Sequence, residues 1–177
     1  ATGGVSARQA VLDAMRAVAT AGPYHLKSTT TTGGATLTTT GEVSLPDHFH
    51  LITNGEELLI LGDKTYRKTN GRWVEFPIDI GKLLSGTIGT LTSEGEKGIT
   101  DVQMLGPATV NGVPTVEYQF QQAAMSGGTG LTSTVRLWVD SQRGLPVQQQ
   151  IDGVVGGQKT STLQEISYDP GIKFPTP

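Results

Sequence analysis

The stretch VRLWVDSQRGLPVQQQIDG, residues 135–153, predicts a β-hairpin with one apolar face. In its first half, Val135, Leu137 and Val139 alternate with larger polar or amphipathic residues, and this period of two is typical of a half-buried strand. After a short turn, Val147 and Ile151 continue the apolar face on the second strand. The apolar face therefore covers either a packed core or something that the protein carries.

The composition limits the possible classes of protein. A chain of 177 residues has the length of one domain, which we assign to residues 1–177. The net charge of −3 argues against binding to nucleic acid, because a phosphate backbone attracts clustered Lys and Arg. The absence of cysteine excludes disulfides and thiolate metal sites. No apolar run approaches the roughly 20 residues of a membrane-spanning helix.

From Tyr24 onward, the sequence predicts a long antiparallel meander. Two-residue turn signals occur at 33–34 (Gly-Gly), 54–55 (Asn-Gly) and 70–71 (Asn-Gly), each between runs that alternate with a period of two. Ten or eleven strands can be counted, and a sheet of that size curls or closes instead of staying flat. We therefore predict an α+β fold that is mainly β, with a curved antiparallel sheet.

One long helix precedes the meander. Ser6 and Gln9 form a capping-box pattern, and Val11, Met15 and Val18 then recur at helical spacing. A lone helix of this length is marginally stable in water, so it must pack its apolar stripe against the sheet. It would act there either as a plug that completes a core or as a lid over a cavity.

Three further segments interrupt the strand pattern. IDIGKLLSG (78–86) predicts a short helix or a turn, whereas SGTIGTLTSEGEKG (85–98) and AAMSGGTG (123–130) are glycine-rich loops. Such loops either border the mouth of a cavity or only connect strands. Because the apolar face of the sheet is larger than this helical cover, the sequence hints at an internal cavity.

No group of residues predicts catalysis or metal binding. His48 and His50 share a strand face next to Asp47, but a metal site usually needs three or more protein ligands, so we expect solvated histidines. The carboxylate pairs at 56–57 and 94–96 lie in predicted turns without an apolar pocket to separate their pKa values. No nucleophile elbow is present. We predict a protein that is not an enzyme and has no catalytic residues, metal or cofactor.

The order of several motifs along the chain resembles the LolA/LolB-like superfamily, and most closely its LppX/LprG-type lipoproteins. The motifs follow the N-terminal helix and span nearly the whole chain. They are GEVSLPDHFHL (41–51), GDKTYRKTNGRWVEF (62–76), TVNGVPTVEYQF (109–120), VRLWVDSQRGLPVQQQI (135–151) and SYDPGIKFPTP (167–177).

This resemblance implies a half-barrel of about eleven strands with helices across its concave face and an apolar cavity between them. Such proteins bind acyl chains of lipids or lipoproteins and carry or hold them between membranes. The sequence opens with ATGGVSARQA and no Met, so we expect an extracytoplasmic monomer whose signal sequence or lipidated cysteine lay upstream of residue 1. The resemblance also places His50 in the slot where LolA carriers have an Arg that latches the helical lid.

The residues predicted to line the cavity are the inward apolar positions of the helix and the strands. For any one of them, ordinary core packing explains the pattern equally well, and the prediction concerns the set. The set is Val11, Met15, Val18, Phe49, Leu51, Leu58, Ile60, Val116, Tyr118, Phe120, Val135, Leu137 and Ile151. Trp138 is expected on the convex side. The alternative function is an RseB-like module that senses lipids and grips a partner protein.

Overall fold

The computed structural model of the chain describes residues 6–77, 93–123 and 132–177. In these segments, the chain forms eleven strands and two helices. They are α1 (Ala7–Val18), β1 (Tyr24–Thr32), β2 (Ala35–Ser44), β3 (His48–Thr53), β4 (Glu56–Leu61), β5 (Lys64–Thr69), β6 (Arg72–Phe76), α2 (Ser93–Lys97), β7 (Ile99–Val110), β8 (Val113–Ala123), β9 (Thr132–Asp140), β10 (Pro146–Val155) and β11 (Gln158–Tyr168).

All eleven strands belong to one antiparallel sheet that does not close. The order is β6-β5-β4-β3-β2-β1-β11-β10-β9-β8-β7. Two meanders, β1 to β6 and β7 to β11, are joined by the pairing of β1 with β11. The predicted mainly β fold, with an antiparallel sheet of about eleven strands, an N-terminal helix and a short helix, is thus confirmed. Neither described helix is long and apolar enough to cross a membrane.

The turn dipeptides predicted from the sequence lie where expected. Asn54 and Asn70 have φ values of 52° and 50°, and the glycine after each also has a positive φ, as a two-residue hairpin requires. Asn111, with φ 48°, opens the same kind of turn between β7 and β8. Pro46 lies in the turn before β3, and the strand begins at His48.

The N-terminal helix has the predicted cap and the predicted buried stripe. Ser6 Oγ accepts a hydrogen bond from the backbone N–H of Gln9 at 3.2 Å, which satisfies a donor that the helix cannot satisfy itself. The prediction of a loop at 85–98 is wrong for its last part, because residues 93–97 form α2. The predicted segments at 78–86 and 124–130 lie outside the described residues.

Two apolar clusters cover the inner face of the sheet, defined as the face toward α1. Cluster 1 joins α1 to β7, β8 and β9, and its buried members are Val11, Leu12, Ala14, Met15, Ile99, Tyr118, Phe120, Val135, Leu137 and Val139. Cluster 2 lies over β1 to β4 and β11, and its buried members are Val18, Tyr24, Val43, Phe49, Ile60 and Ile166.

Gly41 allows β2 and β3 to approach closely within cluster 2. A Cβ atom at this position would lie 2.0 Å from the carbonyl oxygen of His50, and that oxygen belongs to the backbone. We expect Gly41→Ala to lower the free energy of unfolding by about 3 kcal/mol or more, because the two strands must separate. Chemical denaturation of the purified protein measures this loss.

Gly55→Ala is the control for this substitution. Gly55 has a φ of +80° but no atom within 4 Å of an added Cβ, so only the strained backbone contributes a loss of roughly 1 kcal/mol. Equal losses in the two variants would contradict the close approach at Gly41.

Candidate functional site

The residues predicted to line a cavity all belong to the two clusters on the inner face. Those in cluster 1 come from α1, β8, β9 and β10, and they are Val11, Met15, Val116, Tyr118, Phe120, Val135, Leu137 and Ile151. Those in cluster 2 come from the end of α1 and from β3 and β4, and they are Val18, Phe49, Leu51, Leu58 and Ile60. The strands therefore bring the predicted set to one continuous face.

The two clusters differ in their helical cover. Cluster 1 receives four buried side chains of α1, whereas Val18 is the single helical member of cluster 2 in the described part of the chain. Leu26, Leu51 and Leu58 pack against cluster 2 but remain only half-buried. The apolar inner face thus extends past the helix that covers it.

A cleft opens between α1 and the sheet beside cluster 1. Its volume is about 430 Å³, and the helix contributes small side chains to it, at Ala10, Ala14 and Ala17. Val116 and Tyr118 of β8 form part of the opposite wall. Alanine on the helical side leaves room between helix and sheet that a larger side chain would fill.

Toward the tips of the central hairpins, threonine hydroxyl groups replace apolar side chains on the inner face. Cross-strand pairs join Thr30 to Thr162 at 3.0 Å and Thr39 to Thr53 at 2.7 Å between hydroxyl oxygens. Further toward the tips, Thr32 pairs with a threonine of β11 in the same way. The inner face therefore changes from apolar to polar along the strands.

Two tyrosines lie at the opposite, apolar end of the inner face. The rings of Tyr24 and Tyr168 meet edge to face with centroids 5.8 Å apart, and the Tyr168 hydroxyl donates a hydrogen bond to the carbonyl of Pro146 at 2.9 Å. Burial raises the pKa of both phenols above the ordinary value. Both hydroxyls are therefore neutral throughout the physiological range.

Two side-chain amides, one on a buried residue and one on a half-buried residue, lie where cluster 1 meets cluster 2, and the sequence analysis missed them. Gln149 on β10 and Gln164 on β11 are cross-strand partners on the inner face. Gln149 is only 5% exposed, and the side-chain oxygen of Gln164 is buried without a hydrogen-bond partner. The sequence did contain a signal, because Gln149 lies two residues before the inward-facing Ile151 and therefore shares its face of the strand.

A polar contact joins α1 to α2. The Arg16 guanidinium donates from Nη2 and Nε to Glu96 Oε1 at 2.6 and 2.9 Å, and Arg8 donates to the backbone carbonyl of Glu96 at 2.8 Å. Since Arg8 also contacts the carbonyl of Ile99, the two arginines hold the helix against the start of β7. The sequence analysis had dismissed Glu96 as part of a solvated carboxylate pair.

The assignment of His50 to the lid-latch position, which the resemblance implied, is wrong. On β3, Phe49 and the leucine two residues after it point into cluster 2. His50 lies between them, so its side chain is on the outer face, away from α1. There its Nδ1 is 2.8 Å from Glu42 Oε2, and its Nε2 is 3.3 Å from Glu57 Oε2. A hydrogen bond from Lys68 lowers the pKa of the Glu57 carboxyl, and the bond with His50 adds to this effect.

The outer face offers no group of metal ligands among the residues that the structure describes. His48 contacts Asp47 at 2.8 Å, and its ring meets that of Phe174 in the C-terminal tail. Trp138 lies on the same outer side of the sheet as predicted and is buried there. The guanidinium of Arg136 stacks 5.1 Å from its ring centroid and also pairs with Glu117.

This architecture matches solved structures. LprF from Mycobacterium bovis superposes with a TM-score of 0.69 at 14% identity, covering 97% of this chain and 96% of that one. The Mycobacterium tuberculosis lipoprotein LppX gives 0.63 at 17% identity, covering 91% and 93%. The chain has the fold of LprF and LppX. No protein-family model and no curated protein matches the sequence.

A third match is MucB in the MucA/MucB complex from Pseudomonas aeruginosa. The TM-score is 0.52 at 14% identity, and the match covers 94% of this chain but 59% of that one. At these identities the similarity is one of fold. The predicted resemblance to LppX-type proteins is confirmed at that level.

The Arg16–Glu96 contact can be measured by a double-mutant cycle with Arg16→Met and Glu96→Gln. The Arg16 side chain is 48% exposed and that of Glu96 26%, so solvent screens the pair. We expect a coupling free energy of about 0.5–1 kcal/mol that falls when salt is raised to roughly 1 M.

Asp13→Asn serves as the control in this cycle, because Asp13 lies 3.6 Å from Arg16 on the same helix and does not reach α2. A coupling with Glu96 no larger than that with Asp13 would show that the contact does not join the helices.

Proposed function

We propose that this protein binds acyl chains of a lipid or lipoprotein on its inner face, between the sheet and the helices, and that it carries or holds them without catalysing a reaction. The observation that supports this proposal is the apolar inner face that extends past α1. The half-buried Leu26, Leu51 and Leu58 would form the floor under an acyl chain.

The hydrophobic effect is sufficient for such binding. Each CH₂ group that moves from water to an apolar surface gains about 0.8 kcal/mol, so about ten buried groups would gain roughly 8 kcal/mol before the costs of association. The hydroxyl-lined end of the inner face suits the polar part of such a cargo. The cavity-lining role of the thirteen predicted residues is part of this proposal.

The proposed location is the cell envelope, outside the cytoplasm. The fold is shared with LppX, which is described as a lipoprotein. A lipid anchor attached upstream of residue 1 would keep such a protein at a membrane surface, where its cargo is found. A monomer suffices for this role, because α1 and the sheet of one chain provide both walls of the cleft.

A second candidate function is an RseB-like regulatory module that grips a partner protein. The match to MucB, solved together with MucA, favours this candidate. The chain spans 59% of that MucB chain, so the likeness covers only part of it. Retention of a specific envelope protein by the lipid-free protein would favour the second candidate over the first.

Adjacent residues on β3 provide a matched test of acyl binding. Leu51 and Ile52 are both half-buried, but alternation places Leu51 on the inner face and Ile52 on the outer face. We expect Leu51→Lys to weaken binding of 11-(dansylamino)undecanoic acid at least tenfold, because an ammonium would lie under the acyl chain. Fluorescence titration measures the Kd.

Ile52→Lys is the control, with an expected Kd within about twofold of the parent protein, a difference of roughly 0.4 kcal/mol. The proposal fails if the parent protein does not bind the probe, or if both lysine variants weaken binding equally.

A further inference from the structure

The pair of inner-face amides described above, Gln149 and Gln164, has no explained role in the fold. Gln149 faces Leu137 of β9, a member of cluster 1, and Gln164 faces Ser28 of β1. Two residues beyond Gln164, Ile166 belongs to cluster 2. The amides therefore occupy the boundary between the two apolar clusters, on the face that α1 covers.

The pair is unsatisfied within the described part of the protein. The Oε1 atom of Gln164 is buried and accepts no hydrogen bond. Gln149 is only 5% exposed, and no hydrogen bond joins its amide to a described residue. A buried amide without a partner destabilises the folded state, and native proteins almost always avoid one. A partner supplied from outside the chain would remove this cost.

The chemistry of the amide limits what that partner can be. In the orientation that the Gln164 amide has in this structure, the orphan atom is an acceptor, so a partner for it must carry an O–H or N–H donor. The NH₂ groups of the two glutamines are donors, and they can bind an acceptor on the same partner. A hydroxyl or a secondary amide provides both functions, whereas an ester carbonyl or an ether satisfies only the NH₂ groups.

The position of the pair limits the cargo further. An apolar cluster lies on each side of the amides, so acyl chains that extend in either direction from a group bound to the amides would contact apolar side chains. We propose that the cargo is a two-chain lipid whose linking group, between the chains, bears a hydroxyl or amide N–H that donates to Gln164 Oε1. This inference rests on the proposed acyl binding and assigns a specificity-determining role to Gln149 and Gln164.

A matched pair of lipids tests the hydrogen-bond donor. The full chain is incubated with vesicles that contain equal amounts of 1,3-dioleoylglycerol, which has a free hydroxyl between its chains, and of its 2-O-methyl ether, which has none. Protein is reisolated, extracted with organic solvent, and the two lipids are quantified by mass spectrometry. We expect about a tenfold preference for the free hydroxyl, because the ether leaves the buried acceptor unpaired.

Substitution of the amides should abolish this preference. In Gln149→Leu and Gln164→Leu, the ratio of the two lipids should fall toward one. Gln148→Leu is the matched control, because Gln148 precedes Gln149 on β10 and pairs with Trp138, on the outer face. That variant should keep the preference of the parent protein.

Thermal unfolding of the lipid-free variants provides an independent readout. Leu in place of an unpaired buried amide loses no hydrogen bond, so both inner-face variants should unfold at the same Tm as the parent protein or higher. A fall of several degrees in both would overturn the inference, because it would show that the amides are already satisfied within the protein.

The remaining outcomes separate the inference from the proposed function. Equal loading of the parent protein with the two lipids would overturn the specificity role and leave acyl binding intact. Loading with neither lipid, together with no binding of the dansyl fatty acid, would overturn both.

Discussion

The pairing of β1 with β11 is the constraint on which the rest of the structure depends. All nine residues of β1 have partners on β11, from Tyr24 opposite Tyr168 to Thr32 opposite Thr160. This register joins two meanders that would otherwise be separate sheets. Without it, β1 and β11 would each be an exposed edge strand. Because the paired strands lie near opposite ends of the chain, the loop that they close is long, and its entropy must be offset before the contacts contribute.

The same register creates the inner face as one surface. On β1, Leu26 packs against cluster 2. On the neighbouring β11, Gln164 pairs with Gln149 of β10, which lies beside cluster 1. Without this junction, β11 would be an edge strand, and the Gln164 amide could be hydrated there. With it, Gln164 and Gln149 lie between the two apolar clusters, and this position is the basis of the specificity role proposed for them.

Local features of the fold could be predicted from the sequence because their causes are local. The Asn-Gly turns need positive φ values that Asn and Gly tolerate, and the Ser6 cap depends on residues within one helical turn. Alternation also predicted which apolar residues share the inner face. The β1–β11 pairing could not be predicted in the same way, because no neighbouring residue specifies which distant strand a Thr-rich strand will join.

The parts of the site that the sequence analysis missed are polar or depend on distant contacts. Gln149 was overlooked because it is a polar residue at a position that shares a strand face with the apolar Ile151. Glu96 gained its role from Arg16, 80 residues away. For His50, a resemblance-based assignment overrode the alternation of Phe49 and Leu51, which already predicted that His50 points outward. The simple strand period was the better guide there.

The central claim is that the inner face holds acyl chains, and the lipid content of the protein tests it most directly. Protein purified from envelope fractions without added lipid should be extracted with organic solvent and analysed by mass spectrometry, next to a mock purification from cells that lack it. The account predicts an acyl lipid in about one-to-one ratio with the protein. Protein that is free of lipid, and that also stays empty after exposure to a total envelope lipid extract, would show that the inner face is a closed core and would contradict the account.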